Sequence, residues 1–269
     1  MGMAELRTTS ADGTPVTALD DGRGPTLLLL HGGGETPAAW NAVLPSLTGD
    51  FRVVRIARRL YAPGAHAPAT HSVAVEVADV LAIARLLTGP LVLVGHSSGA
   101  VAALETALRA PGVATGLVLY EPPLPTRALV GGEAVHRARA ALAAGDPDQA
   151  LRIHLRDIAR EPPERVERLL AAVRRPTSPT PRLAAGLADI AALDALGTGV
   201  ERFRRLDVPT TLVEGDRSPA RVRDRLADLA AALPDARVVT LAGHGHHAHR
   251  TAPRALADAI RDAARTALA

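Results

Sequence analysis

Short apolar runs alternate with longer amphipathic stretches over most of the chain. Short apolar runs at Thr26 to Leu30, Leu91 to Val94 and Leu117 to Tyr120 are typical of strands buried on both faces, and Phe51 to Ile56 predicts another strand. Between them, Ser72 to Leu87 carries apolar residues at helical spacing. This alternation predicts an α/β fold with a mostly parallel, doubly wound sheet and helices on both of its faces.

The pattern extends to both ends of the chain. Glu5 to Ala18 predicts an opening pair of strands. Near the other end, strands are predicted at Val208 to Val213 and Arg237 to Leu241, with a helix at about Arg221 to Leu233 between them and a last helix from Pro253.

The alternation stops in the middle of the chain. From Pro122 to about Arg205 there is no strand-like run, only Ala- and Arg-rich helical stretches. We therefore predict a core formed by residues 1–121 and 206–269, with residues 122–205 inserted as a helical cap of three or four helices.

The composition of the chain argues against nucleic acid as a binding partner. Of the 269 residues 47% are hydrophobic and only 2% aromatic, so stacking on nucleic-acid bases is nearly unavailable. All 31 basic residues are Arg, interleaved with Asp and Glu as on solvated helix faces, and the formal charge is only +3. We expect no nucleic-acid partner.

The apolar runs are too short to span a bilayer, and no secretory segment is recognisable. We therefore expect no membrane partner and a cytoplasmic protein. The oligomeric state stays open.

Two absent residue types restrict the chemistry. Without Lys there is no Schiff-base or Ser-Lys mechanism, and without Cys there is no thiol nucleophile, disulfide or cysteine metal site. We expect no cofactor.

One turn carries the strongest chemical signal. Leu91 to Leu104 runs from a buried strand through Gly95-His96-Ser97-Ser98-Gly99 into a helical stretch. A Gly-x-Ser-x-Gly sequence between strand and helix is typical of a nucleophile elbow, in which a strained turn exposes the serine hydroxyl. Ser97 is therefore the predicted nucleophile.

A catalytic serine needs a base to take its proton and an acid to orient that base. Candidates for both residues follow predicted strands later in the chain. His246 follows the last predicted strand and Asp216 the one before it, so both belong to the sheet edge where strands end. The chain order Ser, acid, His suits this fold. The amides of Ser98 and of Gly33, in the glycine-rich loop after the strand Thr26 to Leu30, are the predicted oxyanion donors.

Five segments together resemble the α/β-hydrolase fold family over essentially the full length: HGGGETPAAW, GHSSG, VLYEPPL, VPTTLVEGDRSP and LAGHGHHAHRTAP. The last resembles the family's Gly-x-Gly-His segment, which implies that His246, rather than a neighbouring histidine, is the catalytic base. The resemblance also implies roles for Ser97, Gly33 and Ser98 that agree with those above.

The acid departs from the family pattern. Relatives usually place it two or three residues after the loop glycine, where this chain has Arg217 and Ser218, whereas Asp216 follows Gly215 directly. Glu121 is the alternative, because a minority of the fold carries its acid after the preceding strand. Both stay candidates.

Further polar residues have weaker claims. His31, Gly34, His96 and Tyr61 are predicted to line the substrate pocket. Arg58, His66 and His71 also belong to a loop that often faces the site in this fold, but a surface position is equally compatible with them.

A cluster of histidines near the end of the chain has to be weighed as a metal site. His244, His246 and His249 have the spacing of a His-x-His-x-Asp-His metal motif, but Ala248 stands where the aspartate belongs, so we predict no metal site.

These observations predict a serine hydrolase that cleaves an ester, thioester, lactone or activated amide of a small molecule through an acyl-enzyme on Ser97. Two alternatives remain: a non-hydrolytic enzyme on the same fold, such as a cyclase, a lyase or a carbon-carbon bond-cleaving enzyme, and a non-catalytic ligand receptor.

Overall fold

A single eight-stranded sheet organises the protein. The computed structural model describes residues 4–62, 71–173 and 180–268. The strands follow the spatial order β1-β2-β4-β3-β5-β6-β7-β8. Their bounds are β1 Ala4–Thr9, β2 Pro15–Gly22, β3 Thr26–Leu30, β4 Arg52–Ile56, β5 Leu91–His96, β6 Gly116–Tyr120, β7 Thr210–Gly215 and β8 Ala236–Leu241. Pairing is antiparallel from β1 to β2 and from β2 to β4, and parallel everywhere else, which confirms the predicted mostly parallel sheet.

Helices cover both faces of this sheet. The α-helices in the described ranges are α1 Val73–Ala84, α2 Ser98–Arg109, α3 Glu133–Ala143, α4 Pro147–Ile153, α5 Pro163–Val173, α6 Thr180–Asp194, α7 Ala220–Ala232, α8 Ala248–Thr251 and α9 Pro253–Leu268. Short 3₁₀ helices span Pro37–Trp40, Leu44–Ser46, Arg59–Tyr61 and Glu201–Arg205, and a π-helical turn spans His154–Ile158.

The continuous apolar runs are explained by burial on both sides. In β3, Leu28 and Leu30 pack with α1, α2 and α7 on one face of the sheet, while Leu27 and Leu29 pack with α9 on the other. Successive side chains of a strand point to opposite faces, so a strand covered by helices on both faces needs an apolar residue at every position.

Among the described residues, the stretch between β6 and β7 contains helices and loops but no strand. Four α-helices, α3 to α6, lie there, and α3, α4 and α6 share an apolar cluster of their own that includes Val135, Ile153 and Leu187. The boundaries at residues 122 and 205 stay a prediction. Within the described ranges, no helix is both long enough and apolar enough to cross a membrane.

Candidate active site

Ser97 occupies a strained turn between β5 and α2. Its backbone has φ 53° and ψ −128°, a left-handed conformation that costs a non-glycine residue about 1–3 kcal/mol. The flanking glycines make the turn possible: a Cβ on Gly95 would lie 2.3 Å from Ala100 Cα, and one on Gly99 would lie 2.4 Å from the His31 carbonyl oxygen. The Ser97 amide donates to the Tyr120 carbonyl at 2.9 Å, which ties the turn to the end of β6.

Hydrogen-bonding groups around Ser97 are left free. Its hydroxyl does not cap α2, although Ser97 is the N-cap residue. Ser98 is the first residue of α2, where amides have no partner inside the helix. Among the described residues, neither the Ser98 nor the Gly33 amide has a protein acceptor. Two unpaired donors beside a serine hydroxyl suit a site that binds an oxyanion.

His246 is partnered by Glu121. Glu121 Oε2 lies 2.6 Å from His246 Nδ1, and Glu121 Oε1 accepts a hydrogen bond from the Gly215 amide at 2.8 Å. Glu121 follows β6 directly, its side chain is fully buried, and its backbone φ is 47°. Burial alone would raise the pKa of this carboxyl, but the hydrogen bonds from His246 and the Gly215 amide lower it more, so the pKa lies below its usual range.

Asp216 lies elsewhere, contrary to the first of the two predicted acid positions. Its Oδ1 accepts a hydrogen bond from the Gly243 amide at 2.8 Å, so the carboxylate closes the turn after β8. Its own amide lies 3.4 Å from the Leu241 carbonyl, which holds the residue against that turn. Asp216 directly follows Gly215, the last residue of β7. At that position its carboxylate binds the Gly243 amide and not His246. The alternative, Glu121, has the geometry expected of the acid.

Tyr120 and His96 hold the backbone around His246. The Tyr120 hydroxyl donates to the Gly245 carbonyl and accepts from the Ala248 amide at 3.0 Å. His96 stacks on Tyr120, with ring centroids 5.0 Å apart, and its Nε2 lies 2.8 Å from the His246 carbonyl oxygen. The sequence predicts His96 as a pocket residue, but its side chain is only 3% exposed and supports the backbone of the His246 loop. Burial lowers the pKa of His96 to about 3.

A buried ionic network lies beside the glycine-rich loop. The Arg58 guanidinium is 1% exposed and donates from Nη2 to both Asp189 oxygens, at 3.0 and 3.1 Å, and from Nε to Glu76 at 2.9 Å. Burial disfavours the charged guanidinium, but Asp189 and Glu76 outweigh it, so the pKa of Arg58 is raised. The Ser98 hydroxyl joins the network, accepting from Arg58 at 2.8 Å and donating to Asp189 at 2.7 Å. Asp189 belongs to α6, so this network ties the predicted cap to the core.

Tyr61 and Gly34 take different positions around this loop. The Tyr61 hydroxyl donates to Asp189 Oδ2 at 2.6 Å, and a Cβ on Gly33 would lie 3.1 Å from that hydroxyl. Tyr61 therefore reaches the neighbourhood of Gly33, as predicted for a pocket residue, but its polar atom is occupied. Gly34 lines a cavity of about 440 Å³ on the outer side of the loop, together with Arg182 of α6 and Arg250.

His31 and His71 are buried among the polar groups of this region. His31 is 1% exposed; its Nδ1 lies 2.9 Å from the Gly32 carbonyl and its Nε2 accepts from the Arg58 amide at 3.3 Å. It is therefore a packed residue rather than the predicted pocket wall. The His71 side chain is also 1% exposed and lies 3.4 Å from Glu76, so the surface alternative is wrong for Arg58 and His71. His66 lies outside the described residues.

A second group of ionisable residues lies next to the Ser97 turn, and no pattern in the sequence connects its members. Glu35 Oε1 lies 3.0 Å from His249 Nε2 and 2.7 Å from Arg250 Nη2, while Glu35 Oε2 lies 3.5 Å from His96 Nδ1. Glu35 ends the glycine-rich loop and His249 lies on α8, three residues after His246. Glu35, His96 and His249 are the described residues whose grouping could hold a metal ion.

Comparison with known proteins shows the family and agrees with the fold. Residues 27–259 match the sequence profile of the alpha/beta hydrolase family. A pimeloyl-[acyl-carrier protein] methyl ester esterase of Methylococcus capsulatus is 34% identical over 235 residues, which cover 81% of this chain and 87% of that protein. The crystal structure of an alpha/beta hydrolase from Sphaerobacter thermophilus has a TM-score of 0.79 and 28% identity, covering 96% of this chain and 99% of the other. The thioesterase domain from the curacin biosynthetic pathway has a TM-score of 0.70 and 26% identity, covering 97% of this chain and all of that domain.

Proposed function

Because the chain belongs to the alpha/beta hydrolase family, we propose that it is a serine hydrolase that cleaves a carboxylic ester or thioester of a small molecule, with Ser97, His246 and Glu121 as its triad. The observation that carries this proposal is the 2.6 Å contact between His246 and the buried carboxylate of Glu121, and the strained turn at Ser97 is the matching feature of a nucleophile elbow. Esterases and thioesterases among the relatives support the choice of substrate class.

The proton path follows from the contact between Glu121 and His246. A carboxylate at Nδ1 fixes the proton of the neutral imidazole on that nitrogen, so Nε2 carries the lone pair and acts as the base. His246 takes the proton of Ser97 as Oγ attacks the acyl carbon, and then gives it to the leaving alcohol or thiol. The lowered pKa of Glu121 keeps the carboxylate ionised at neutral pH, where it stabilises the imidazolium that forms.

Charge on the acyl oxygen is stabilised by the amides of Gly33 and Ser98. Each such donor contributes about 3 kcal/mol to stabilisation of the tetrahedral intermediate. The Arg58 network supports this role, because it holds the Ser98 side chain and lies against Gly33, which fixes both amides before substrate arrives. Water then attacks the acyl-enzyme, with His246 again as base, and releases the acid.

Labelling of the serine tests the proposal. A fluorophosphonate should modify the folded protein at neutral pH, and peptide mass spectrometry should find the adduct on Ser97, with no adduct in Ser97→Ala. An unmodified Ser97 in folded protein would overturn the proposal. Labelling of Ser97 without turnover of any ester or thioester in a panel of acyl chain lengths would favour a non-hydrolytic reaction on the same residues.

A further inference from the structure

We propose that Glu35, His96 and His249 form a binding site for one divalent transition-metal ion, directly behind the Ser97 turn. The three side chains come from the glycine-rich loop, the end of β5 and α8. One ligand atom of each lies within 4.8 Å of the others. Two imidazoles and one carboxylate are a donor set that suits zinc and its neighbours in the first transition row.

The first argument concerns the protonation of His96. Its Nε2 lies 2.8 Å from the His246 carbonyl oxygen, and because a carbonyl only accepts, Nε2 carries the proton. In the neutral ring, Nδ1 then presents a lone pair. That lone pair faces Glu35 Oε2 at 3.5 Å, and Oε2 also presents only lone pairs. Neither atom has a hydrogen-bond partner among the described residues, although both are buried. Two buried acceptors that face each other are repulsive unless a cation lies between them.

The second argument concerns the spacing of the donors. Metal bonds of about 2.1 Å to nitrogen and oxygen separate tetrahedral ligands by about 3.4 Å and neighbouring octahedral ligands by about 3.0 Å. The observed separations are 3.5 Å from Glu35 Oε2 to His96 Nδ1 and 3.0 Å from Glu35 Oε1 to His249 Nε2, and one ligand atom of each side chain lies within 4.8 Å of the others. One ion can therefore bind between both oxygens of Glu35 and the two imidazoles after a small inward shift of the side chains. His249 Nε2 now donates to Glu35, so binding requires its proton to move to Nδ1, which has no partner within the described part of the chain.

The third argument concerns the space at Gly32. A Cβ at this position would lie 2.9 Å from His96 Nδ1 and 3.3 Å from Glu35 Oε2, in close contact with both unpaired atoms. Glycine keeps this cradle open. The His96 and His249 side chains are 3% and 1% exposed, so water reaches the cradle poorly. Among the described residues, the arginine that pairs with Glu35 is Arg250, which contacts Oε1 and is 61% exposed, so Oε2 remains available.

A bound ion would connect the loop that carries Gly33, the strand that ends at His96, directly before Ser97, and the helix that follows His246. It lies behind these residues rather than in contact with the acyl group, so its role is positional. The proposal does not depend on hydrolytic activity. It also differs from the metal motif rejected from the sequence, since it uses only one of those three histidines and takes its other ligands from distant positions.

Metal content tests the site directly. Protein without a polyhistidine tag is stripped with a chelator, incubated with Zn²⁺, passed through a desalting column and analysed by inductively coupled plasma mass spectrometry. We expect about one zinc per chain. Glu35→Gln and His249→Gln should each lower the affinity by at least about 10-fold, since even residues that only orient metal ligands contribute that much. His244→Gln, a histidine in the same loop but outside the cluster, should retain the metal.

Two further measurements keep the test decisive if a ligand variant does not fold. Gly32→Ala fills the cradle without removing a ligand, and it should also abolish binding. In the wild-type chain, Zn²⁺ should raise the melting temperature and chelator should reverse the rise, while Co²⁺ should give visible absorption bands of a nitrogen- and oxygen-ligated ion. If the wild-type chain retains no zinc, or if retention is the same in Glu35→Gln, His249→Gln and His244→Gln, the proposal is wrong.

Discussion

Glu121 Oε2 and His246 Nδ1 lie 2.6 Å apart, although 125 positions separate the two residues in the chain. The contact depends on the backbone of Glu121, whose positive φ bends the chain immediately after β6. Among the described residues, the non-glycine positions with positive φ are Ser97, Glu121 and Arg160, so two of the three belong to the proposed triad. Strain of this kind persists where surrounding structure enforces it, and it is common at functional sites.

Replacing the two candidate acids separates their roles. Glu121→Gln should lower kcat by about 10⁴-fold, because an amide at this position favours the wrong tautomer of His246 and cannot stabilise its cation. Asp216→Asn should change kcat by no more than about 2-fold, since it alters a turn away from the imidazole. Steady-state kinetics on one ester substrate measures both, with circular dichroism as the check on folding. Equal losses in the two variants would contradict the assignment of Glu121.

Acidification should destabilise the fold through His31. Burial first, and then the nearby Arg58 cation, lower the pKa of His31 to about 4, against the partly opposing effects of the Gly32 carbonyl, Glu35 and Asp189. The unfolded chain therefore binds a proton below about pH 6.5 that the folded chain binds only below about pH 4, so the free energy of unfolding falls as pH drops through this window.

The size of this effect is measurable. At pH 4.5 the penalty from His31 amounts to about 2–3 kcal/mol relative to neutral pH. Urea unfolding at pH 7 and pH 4.5 should therefore show a smaller acid loss in His31→Gln than in the wild-type chain, and proton NMR should find the His31 pKa well below 6. A loss of the same size in both proteins would mean that other groups dominate.

The buried ion pair of Arg58 should contribute far more to stability than a surface pair. Asp189→Asn removes a charge that the guanidinium needs in a site without water, and loss of one partner of a buried pair costs about 3–5 kcal/mol. Asp157→Asn is the matched control: Asp157 pairs with Arg137 and Arg156, which are 56% and 57% exposed, and should cost less than about 1 kcal/mol. Chemical denaturation compares the two. Similar losses would show that the Arg58 network is no stronger than the exposed pairs.

Tyr120→Phe should loosen the loop that carries His246. The substitution keeps the ring but leaves the buried Ala248 amide without its acceptor and the Gly245 carbonyl without its donor. An unsatisfied buried group costs about 1–3 kcal/mol of stability. Misplacement of His246 should lower kcat by up to about 10²-fold while KM changes little, because the hydroxyl does not touch the acyl group. A purely structural role would lower stability and leave kcat intact.

The sequence identified most of the sheet because its signal is local. β3 has the predicted bounds and α9 begins at the predicted Pro253, since apolar runs and proline act on their immediate neighbours. The strained turn at Ser97 was also predictable, because the two glycines that permit it are adjacent to it in the sequence.

The polar interior could not be predicted in the same way. Arg58 and Asp189 are 131 positions apart, and nothing in either neighbourhood indicates that the charges meet in the core. Whether Glu121 or Asp216 contacts His246 depends on the backbone φ of Glu121 and on which side chain closes the turn at Gly243. Tertiary packing determines both. The same holds for Glu35 and His249, which come together only because the glycine-rich loop and α8 are neighbours in the fold.

The ion pair between Asp189 and Arg58 also limits which helical insertions this fold can accept. Helical insertions are natural units to exchange between related enzymes when a new specificity is wanted. Here α6 contributes a carboxylate that contacts Arg58, Tyr61 and Ser98, so a transplanted insertion without an acid at this point would remove one of the two carboxylates that pair with the buried Arg58 cation and leave Glu76 as the other. Chimeras of this chain should therefore exchange the loop after β4 together with the insertion, because Arg58 and Tyr61 of the loop contact Asp189 of the insertion.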